Sequence, residues 1–307
     1  MYATFAELQA AIPLAGRPQR CAVAGAADAH ALEAVMLAAR EGYLTPVLIG
    51  PKAGIEAVLG QMEVVEPYLL HDCPEGDNPA EAAVRLVQDG EADFILKGNL
   101  QTSDLLRPVL NKQTGLNDRG FVTHFGLMQL HGYHKLLAMS DSAVIPHPTL
   151  ADKARIVEVC TEALRSLGIA RPVVAALCAA ETVNPKIPET IDAAELAAMS
   201  ERGELGDTVV VGPVSFDLAT SREAAALKGY DSPYAGDVDM VLVPEMVTGN
   251  VMSKIWNADD RNTLAGCLLG ARVPVALTSR SASMKEKLTS LLLCSLLSAT
   301  TSTGAHA

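Results

Sequence analysis

A chain of 307 residues, of which 49% are hydrophobic, is long enough for roughly two domains with well-buried cores. Its 36 acidic residues outnumber its 24 basic ones and give a formal net charge of −12. That charge repels nucleic-acid backbones and anionic lipid headgroups, so it disfavours both nucleic acid and membranes as partners.

The cysteines and the first residues indicate the compartment. Six cysteines occur singly, mostly among apolar neighbours and never as CxxC, which favours reduced, buried thiols over a disulfide framework or a zinc site. The opening MYATFAELQA lacks the basic segment and apolar run of a signal peptide. The longest apolar segment, near 288–299, is too short to span a bilayer and predicts a core helix. We therefore expect a cytoplasmic protein.

Short β-rich runs alternate with Ala- and Leu-rich segments of helical length. Mostly apolar strands separated by helices indicate a parallel sheet covered on both faces, so the predicted fold class is α/β. In chain order, the predicted strands are RCAVAG (20–25), TPVLIG (45–50), DFILKG (93–98), RPVVAALC (171–178), DTVVVG (207–212), DMVLVP (239–244) and VPVALTS (273–279). The predicted helices include 28–42, 78–90, 150–168 and 193–203.

One segment breaks this alternation. FVTHFGLMQLHGYH, at 121–134, is rich in histidine and aromatic residues, and we interpret it as the crossing between two α/β halves. The last strand and helix resemble elements of the first half, which predicts that the chain returns to it. The predicted domains are therefore 1–127 plus 268–307, and 128–267.

Polar side chains crowd the turn LKGNLQTSDLLRP, between a predicted strand and a predicted helix. Ligands of parallel sheets collect at the carboxyl ends of strands, where the N–H groups of following helices point outward. Thr102 or Ser103 is predicted to cap the helix, with Asp104 in its first turn and Arg107 one turn further, an arrangement suited to phosphate. The purely structural alternative makes Thr102 an N-cap and pairs Arg107 with Asp104.

A second turn has the same chemistry. After the strand VPVALT come Ser279, Arg280 and Ser281, again hydroxyls and an arginine at a predicted carboxyl end. Two such turns suggest one anion held between them, whereas ordinary loop polarity and a surface charge are the structural alternative.

Six motifs in order resemble the phosphate acetyltransferase and butyryltransferase family. They are LKGNLQTSDLLRP, SDSAVIPHPTLADKARI, VVAALCAAETVNPKIPETIDAAEL, VVGPVSFDLA, LKGYDSPYAGDVDMVLVPEMVTGN and LTSRSAS, and the resemblance runs from about 22 to 297. NPKIPETIDAAEL is closer to the butyryltransferase branch. The resemblance implies reversible acyl transfer between coenzyme A and phosphate, in a cleft between two α/β domains of isocitrate dehydrogenase-like architecture. It implies no metal or redox cofactor, and a homodimer.

The resemblance also implies site residues. Arg107 and Arg280 match anion-binding positions of the family, Ser279 matches a serine that hydrogen-bonds the reacting centre, and Glu286 stands where the family has its proposed base. Asn250 matches a contact of the second domain. A carboxylate base suits this chemistry because only a few per cent of a thiol with a pKa near 8.5 is thiolate at neutral pH.

Several alternatives remain open. Ser283 and Glu286 form an S-x-x-E capping box, in which the glutamate only holds a helix start. The family's frequent Asp-Cys is replaced by Asp141-Ser142, which removes any thiol role there. A metal- and NAD-dependent dehydrogenase on the same architecture would need an aspartate cluster, and no convincing spacing occurs. A non-catalytic coenzyme A-binding protein would keep the arginines without the base.

Overall fold

The structure, a computed structural model, describes residues 2–62, 64, 66–278 and 282–304. Contacts divide the chain into two compact units. The first unit comprises Phe5–Val122 and Ala265–Ala307; the second unit comprises Met1–Thr4 and Thr123–Leu264. The divisions therefore fall after 122 and 264, where the sequence predicted them after 127 and 267.

The first unit contains a mostly parallel set of strands. Its strands are β1 (Gln19–Ala24), β2 (Leu44–Gly50), β3 (Leu69–Asp72), β4 (Phe94–Lys97), β10 (Thr263–Leu269) and β11 (Val275–Ala276), in the order β3-β2-β1-β4-β11-β10. Of these, β10 begins two residues before the division. Only β10 and β11 pair antiparallel among the pairings described within this unit. Its helices are α1 (Phe5–Ala11), α2 (Ala29–Arg40), α3 (Lys52–Gln61), α4 (Pro79–Gln88), α5 (Thr102–Val109) and α11 (Met284–Gly304), with a 3-10 turn at Ile12–Ala15.

The last helix lies in the core of the first unit, as its apolar sequence predicts. Residues 291–294 of α11 are at most 1% exposed, and α11 packs against α2. Burial of a helix of this kind stabilises it far more than its intrinsic propensity. Within the described residues, no helix combines the length and apolar content needed to cross a bilayer.

The described part of the second unit has five strands. They are β5 (Thr123–Gln129), β6 (Leu137–Ser140), β7 (Val173–Leu177), β8 (Val209–Val214) and β9 (Met240–Leu242), in the order β5-β6-β9-β7-β8. β5 and β6 pair antiparallel, whereas the described pairs among β6, β7, β8 and β9 are parallel. Its helices are α6 (Leu150–Ser166), α7 (Pro188–Glu201), α8 (Phe216–Thr220), α9 (Arg222–Lys228) and α10 (Met246–Asn257).

The α/β class is confirmed, and each of the predicted strands overlaps a strand of the structure. The prediction of a purely parallel sheet was incomplete, because the segment interpreted as a crossing contains β5, which turns back through β6. β3 was missed because its exposed LLHD carries little apolar signal. β10 was missed because a wholly buried apolar run has no alternation to separate strand from helix.

Candidate functional site

The turn after β4 is fixed against the turn after β1. The N–H of Gly98 donates to the carbonyl of Ala24 at 2.9 Å, and the N–H of Asn99 donates to the carbonyl of Gly25 at 2.8 Å. A Cβ on Gly98 would lie 2.2 Å from the oxygen of Gly25, so only glycine permits this approach. The LKGN sequence thus builds a close junction between two neighbouring parallel strands.

A cavity of about 260 Å³, here the strand-end cavity, lies where β4 and β11 end and where α2 and α11 begin. Two lysines, Lys97 of β4 and Lys287 of α11, contribute to its wall, and Asp28 is the one carboxylate among its described lining residues. The lining residues are Asp28, His30, Ala31, Ala34, Leu96, Lys97, Gly98, Asn99, Leu100, Thr278 and Lys287.

Two of these charged side chains have fixed positions. Asp28 is the N-cap of α2, and its Oδ1 accepts a hydrogen bond from the N–H of Ala31 at 2.7 Å. The Nζ of Lys97 donates to the carbonyl of Leu100 at 3.1 Å, across the turn. The ammonium group of Lys97 in this cavity is therefore held by a hydrogen bond. The carboxylate of Asp28 already accepts a hydrogen bond from the backbone at the start of α2.

Two of the predicted catalytic residues, Ser279 and Arg280, lie outside the described residues, so their roles stay predictions. Thr278, the residue immediately before Ser279, lines the strand-end cavity. The described chain on this side therefore reaches the cavity at Thr278, and residues 98–100 of the first polar turn also line it.

The structure corrects the predicted start of α5. The N-cap is Gln101, in an extended conformation and without a side-chain cap, so neither Thr102 nor Ser103 caps the helix. The chain enters the helix one residue earlier than predicted because the carbonyl of Gln101 already accepts from the N–H of Leu105, at 3.2 Å. Thr102 and Ser103 are exposed in the first turn.

Arg107 lies on a different surface from Lys97. It is exposed and lines a groove of about 510 Å³ between α4 and α5, together with Arg85 and Asn111. The alternative pairing with Asp104 is wrong, since no ion pair joins Arg107 to Asp104 in the described part of the chain. The structure does not bring Arg107 to the strand-end cavity.

Glu286 lies in the first turn of α11, one residue before the cavity-lining Lys287. The Oγ of Ser283 accepts a hydrogen bond from the N–H of Glu286 at 3.1 Å, which is one of the two bonds of the predicted capping box. This bond uses the backbone of Glu286, so it leaves the carboxylate's role as base a prediction.

The amide of Asn250 donates to the carbonyl of Ser142 at 3.2 Å. The preceding Gly249 packs closely, because a Cβ there would lie 2.9 Å from the oxygen of Asp141. Asn250 therefore helps to hold α10 against the loop after β6, and its predicted substrate contact remains untested.

A buried polar cluster joins β5 to the loop after β6. The carboxylate of Asp141, 2% exposed, accepts hydrogen bonds from the Thr123 hydroxyl at 2.8 Å and from the N–H groups of His124, Ala143 and Val144. The Ser142 Oγ lies 2.8 Å from Nδ1 of His124. Burial lowers the pKa of His124, and the carboxylate of Asp141 opposes this shift. No local sequence signal marks this cluster, because its members come from β5 and from the loop after β6.

In the described part of the chain, the histidines of HGYH do not belong to a cluster that could hold a metal ion. His134 Nε2 lies 2.8 Å from Asp237 Oδ1, and the Nζ of Lys135 lies 3.0 Å from the same oxygen. Across the described residues, no group of three or more His, Cys, Asp or Glu side chains is placed to hold a metal ion.

Lys97, Lys287 and His30 were absent from the predicted site. Lys97 carried a usable signal, because it ends a buried strand of a parallel sheet, where ligands collect. Lys287 carried none, because its helix is distant in sequence and only the fold brings it to the end of β4.

Comparison with curated proteins identifies close relatives over most of the chain. The chain is 37% identical to a phosphate butyryltransferase of Clostridium acetobutylicum over 282 residues, 91% of this chain and 93% of the relative. It is 36% identical to a phosphate acetyltransferase of Rhizobium meliloti over 284 residues, 90% of this chain and 88% of the relative.

The comparison with solved structures agrees with the comparison with curated proteins. The chain resembles a branched-chain phosphotransacylase from Enterococcus faecalis with a TM-score of 0.81 and 31% identity, covering 91% of this chain and 99% of that one. It shares its fold with a 4-hydroxythreonine-4-phosphate dehydrogenase from Klebsiella pneumoniae at a TM-score of 0.53 and 14% identity, covering 92% and 98% of the two chains. The predicted dehydrogenase-like architecture is thus confirmed at the level of the fold.

The model of the family described as phosphate acetyl/butaryl transferase matches residues 74–294. This match covers more than half of the chain and includes the turn after β4, α10 and the first turn of α11. The chain therefore belongs to the phosphate acetyl/butaryl transferase family.

Proposed function

We propose that the protein is an enzyme that transfers a short-chain acyl group between coenzyme A and phosphate. One observation carries this proposal: the chain is 37% identical to a phosphate butyryltransferase over 91% of its length. The alternative of a metal- and NAD-dependent dehydrogenase is not favoured, because the dehydrogenase likeness is limited to the fold at 14% identity.

The proposed mechanism is direct. Glu286 accepts the proton of the coenzyme A thiol as the sulfur attacks the carbonyl carbon of the acyl phosphate. The carbon–oxygen bond to phosphate then breaks, and phosphate leaves as the thioester forms. Ser279 and Arg280 stabilise the negative charge on the tetrahedral oxyanion and on the departing phosphate. No covalent enzyme intermediate and no metal or redox cofactor takes part.

The other proposed contacts are with the phosphate-bearing substrates. Arg107, in the groove beside Arg85, presents a planar fork that suits the phosphate groups of coenzyme A or free phosphate. The exposed Thr102 and Ser103 add hydroxyl donors at the start of α5. Asn250 is proposed as a further contact, in addition to its bond with Ser142.

We further propose a preference for butyryl over acetyl phosphate, a homodimer and a cytoplasmic location. The chain is 37% identical to a butyryltransferase and 36% identical to an acetyltransferase, so overall identity does not separate the two branches. The proposed acyl preference therefore rests on the motif NPKIPETIDAAEL. The homodimer rests on the family resemblance alone. All six cysteines are free, which supports a reducing compartment.

The test is a coupled assay of thioester formation from coenzyme A with acetyl, propionyl and butyryl phosphates, with and without a chelator. We expect turnover that survives chelation and the highest kcat/KM with butyryl phosphate. Absence of thioester with every acyl phosphate would refute the activity, and loss on chelation restored by a divalent cation would refute the metal-free mechanism. A preference for acetyl phosphate of about tenfold, roughly 1.4 kcal/mol, would refute the assignment to the butyryl branch. Oxidation of a substrate with NAD and Mn²⁺ would instead support the dehydrogenase.

A further inference from the structure

We infer that the strand-end cavity binds the phosphoryl group of the acyl phosphate, or free phosphate, and that Lys97 and Lys287 are its positively charged ligands. The inference rests on the proposed function and adds residues that the family resemblance did not indicate. It places the phosphate at the junction of β4, β11, α2 and α11.

The charges of the cavity favour an anion although the whole chain has a net charge of −12. Lys97 and Lys287 face one carboxylate, Asp28, among the described lining residues. Asp28 Oδ1 already accepts the N–H of Ala31 at 2.7 Å, where the positive end of α2 offsets its charge. A small dianion is the ligand that such a pair of ammonium groups attracts, and lysine is a common phosphate ligand in proteins.

The two ammonium groups are carried by independently anchored elements. Lys97 ends β4, whose preceding residues Phe94, Ile95 and Leu96 are at most 3% exposed, and its Nζ is held by the carbonyl of Leu100 at 3.1 Å. Lys287 projects from the first turn of α11, a helix fixed by its buried later turns. The held Lys97 side chain and the fixed helix that carries Lys287 reduce the entropy lost when a ligand binds.

The volume of the cavity favours a small ligand, an acyl phosphate or phosphate, over coenzyme A. Sites for drug-sized ligands occupy roughly 300–1,000 Å³. At about 260 Å³, the strand-end cavity suits an acyl phosphate or phosphate rather than the whole of coenzyme A. The groove lined by Arg107, at about 510 Å³, shares none of its described lining residues with this cavity.

The experiment compares the full-length parent with Lys97→Met, Lys287→Met and a matched control, Lys52→Met. Lys52 is 58% exposed on α3 and lies outside the cavity, so its replacement removes the same charge from the same unit. Binding of inorganic phosphate is measured by calorimetry, and KM values are measured separately for butyryl phosphate and coenzyme A. Lys287→Met leaves the turn held by Lys97 untouched, so it tests the site even if Lys97→Met unfolds.

We expect each cavity variant to raise the Kd for phosphate and the KM for butyryl phosphate by about tenfold or more, because a charge-assisted hydrogen bond is lost. The KM for coenzyme A should change less than about twofold, which is under 0.5 kcal/mol. Lys52→Met should match the parent throughout.

Three outcomes separate this inference from the proposed function. Parental phosphate binding in both cavity variants of an active enzyme would overturn the inference and leave the acyltransferase intact. A raised KM for coenzyme A with unchanged phosphate binding would overturn it as well, by assigning the lysines to the phosphates of coenzyme A. Weakened phosphate binding in variants of a protein that makes no thioester would support the phosphate pocket and refute the acyltransferase.

Discussion

Gly98 permits the close approach of the turns after β1 and β4. Replacement by alanine would place a Cβ 2.2 Å from the oxygen of Gly25, and relief requires the backbone to move. We expect Gly98→Ala to lower the free energy of unfolding by about 1–3 kcal/mol, as overpacking does. Urea unfolding measures the change.

The control for this prediction is Gly60→Ala, within α3. A Cβ on Gly60 meets nothing within 4 Å, so the substitution should stabilise the protein by roughly 0.5–1 kcal/mol through helix propensity. Equal stability of Gly98→Ala and the parent would show that the two turns are not held at this distance.

Glu286 has two possible roles that one substitution separates. In the cap, the N–H of Glu286 donates a hydrogen bond to Ser283 Oγ at 3.1 Å. Glutamine at position 286 would keep this backbone N–H, but its side chain cannot accept the proton of the thiol. We expect Glu286→Gln to melt within a few degrees of the parent and to reduce kcat by roughly 10²-fold or more. The coupled assay and a thermal melt measure both effects.

Ser283→Ala is the matched control, because it removes the cap and keeps the carboxylate. It should lower the melting temperature while retaining most of kcat. Near-parental kcat in Glu286→Gln would exclude Glu286 as the base and leave it as part of the helix start.

Among the elements, β1 and β4 are joined at their amino ends by Asp93. Its carboxylate accepts hydrogen bonds from the guanidinium groups of Arg17 and Arg20 and, at 2.7 Å, from the N–H of Arg20. Burial alone would raise the pKa of Asp93, but these hydrogen bonds outweigh it and lower the pKa to about 2.

A lowered pKa in the folded state means that Asp93 stabilises the fold above its unfolded pKa, and that this contribution is lost as the pH falls towards 2. We expect Asp93→Asn to lower the free energy of unfolding at pH 7 by on the order of 2 kcal/mol. The difference from the parent should shrink steadily between about pH 4 and pH 2, as urea unfolding at several pH values would measure.

Asp118→Asn provides the comparison. Asp118 pairs with Arg272 at 2.9 Å, but its side chain is 56% exposed, so the loss should be below about 1 kcal/mol. Equal pH dependence in the Asp93 and Asp118 variants would contradict the stabilising role of the Asp93 junction.

At the scale of the whole molecule, the strand-end cavity is assembled from distant parts of the chain. β11 pairs with β4, matching Val275 with Ile95, and α11 then packs against α2 within the first unit. Lys287 therefore reaches a wall formed by residues 28–34 and 96–100. The cavity depends on the final strand and helix, because β11 pairs beside β4 and α11 supplies Lys287 to the wall.

The sequence by itself determined the α/β class, the strands with clear apolar runs and the family. These are local properties: apolar runs such as FILK and VVAAL mark buried strands, and ordered motifs mark the family without reference to contacts. The buried helix at the end of the chain could also be predicted, because its apolar segment is too short to span a bilayer and is therefore expected in the core.

Only the tertiary structure decided which of these residues meet. It moved the cap of α5 to Gln101, directed Arg107 into the groove with Arg85 and placed Lys287 with Lys97. The start of α5 depends on a local backbone hydrogen bond, whereas the other two outcomes depend on packing between elements that are separate in the chain. Periodicity carries no information about such contacts, since it reports which face of an element is buried and not what covers it.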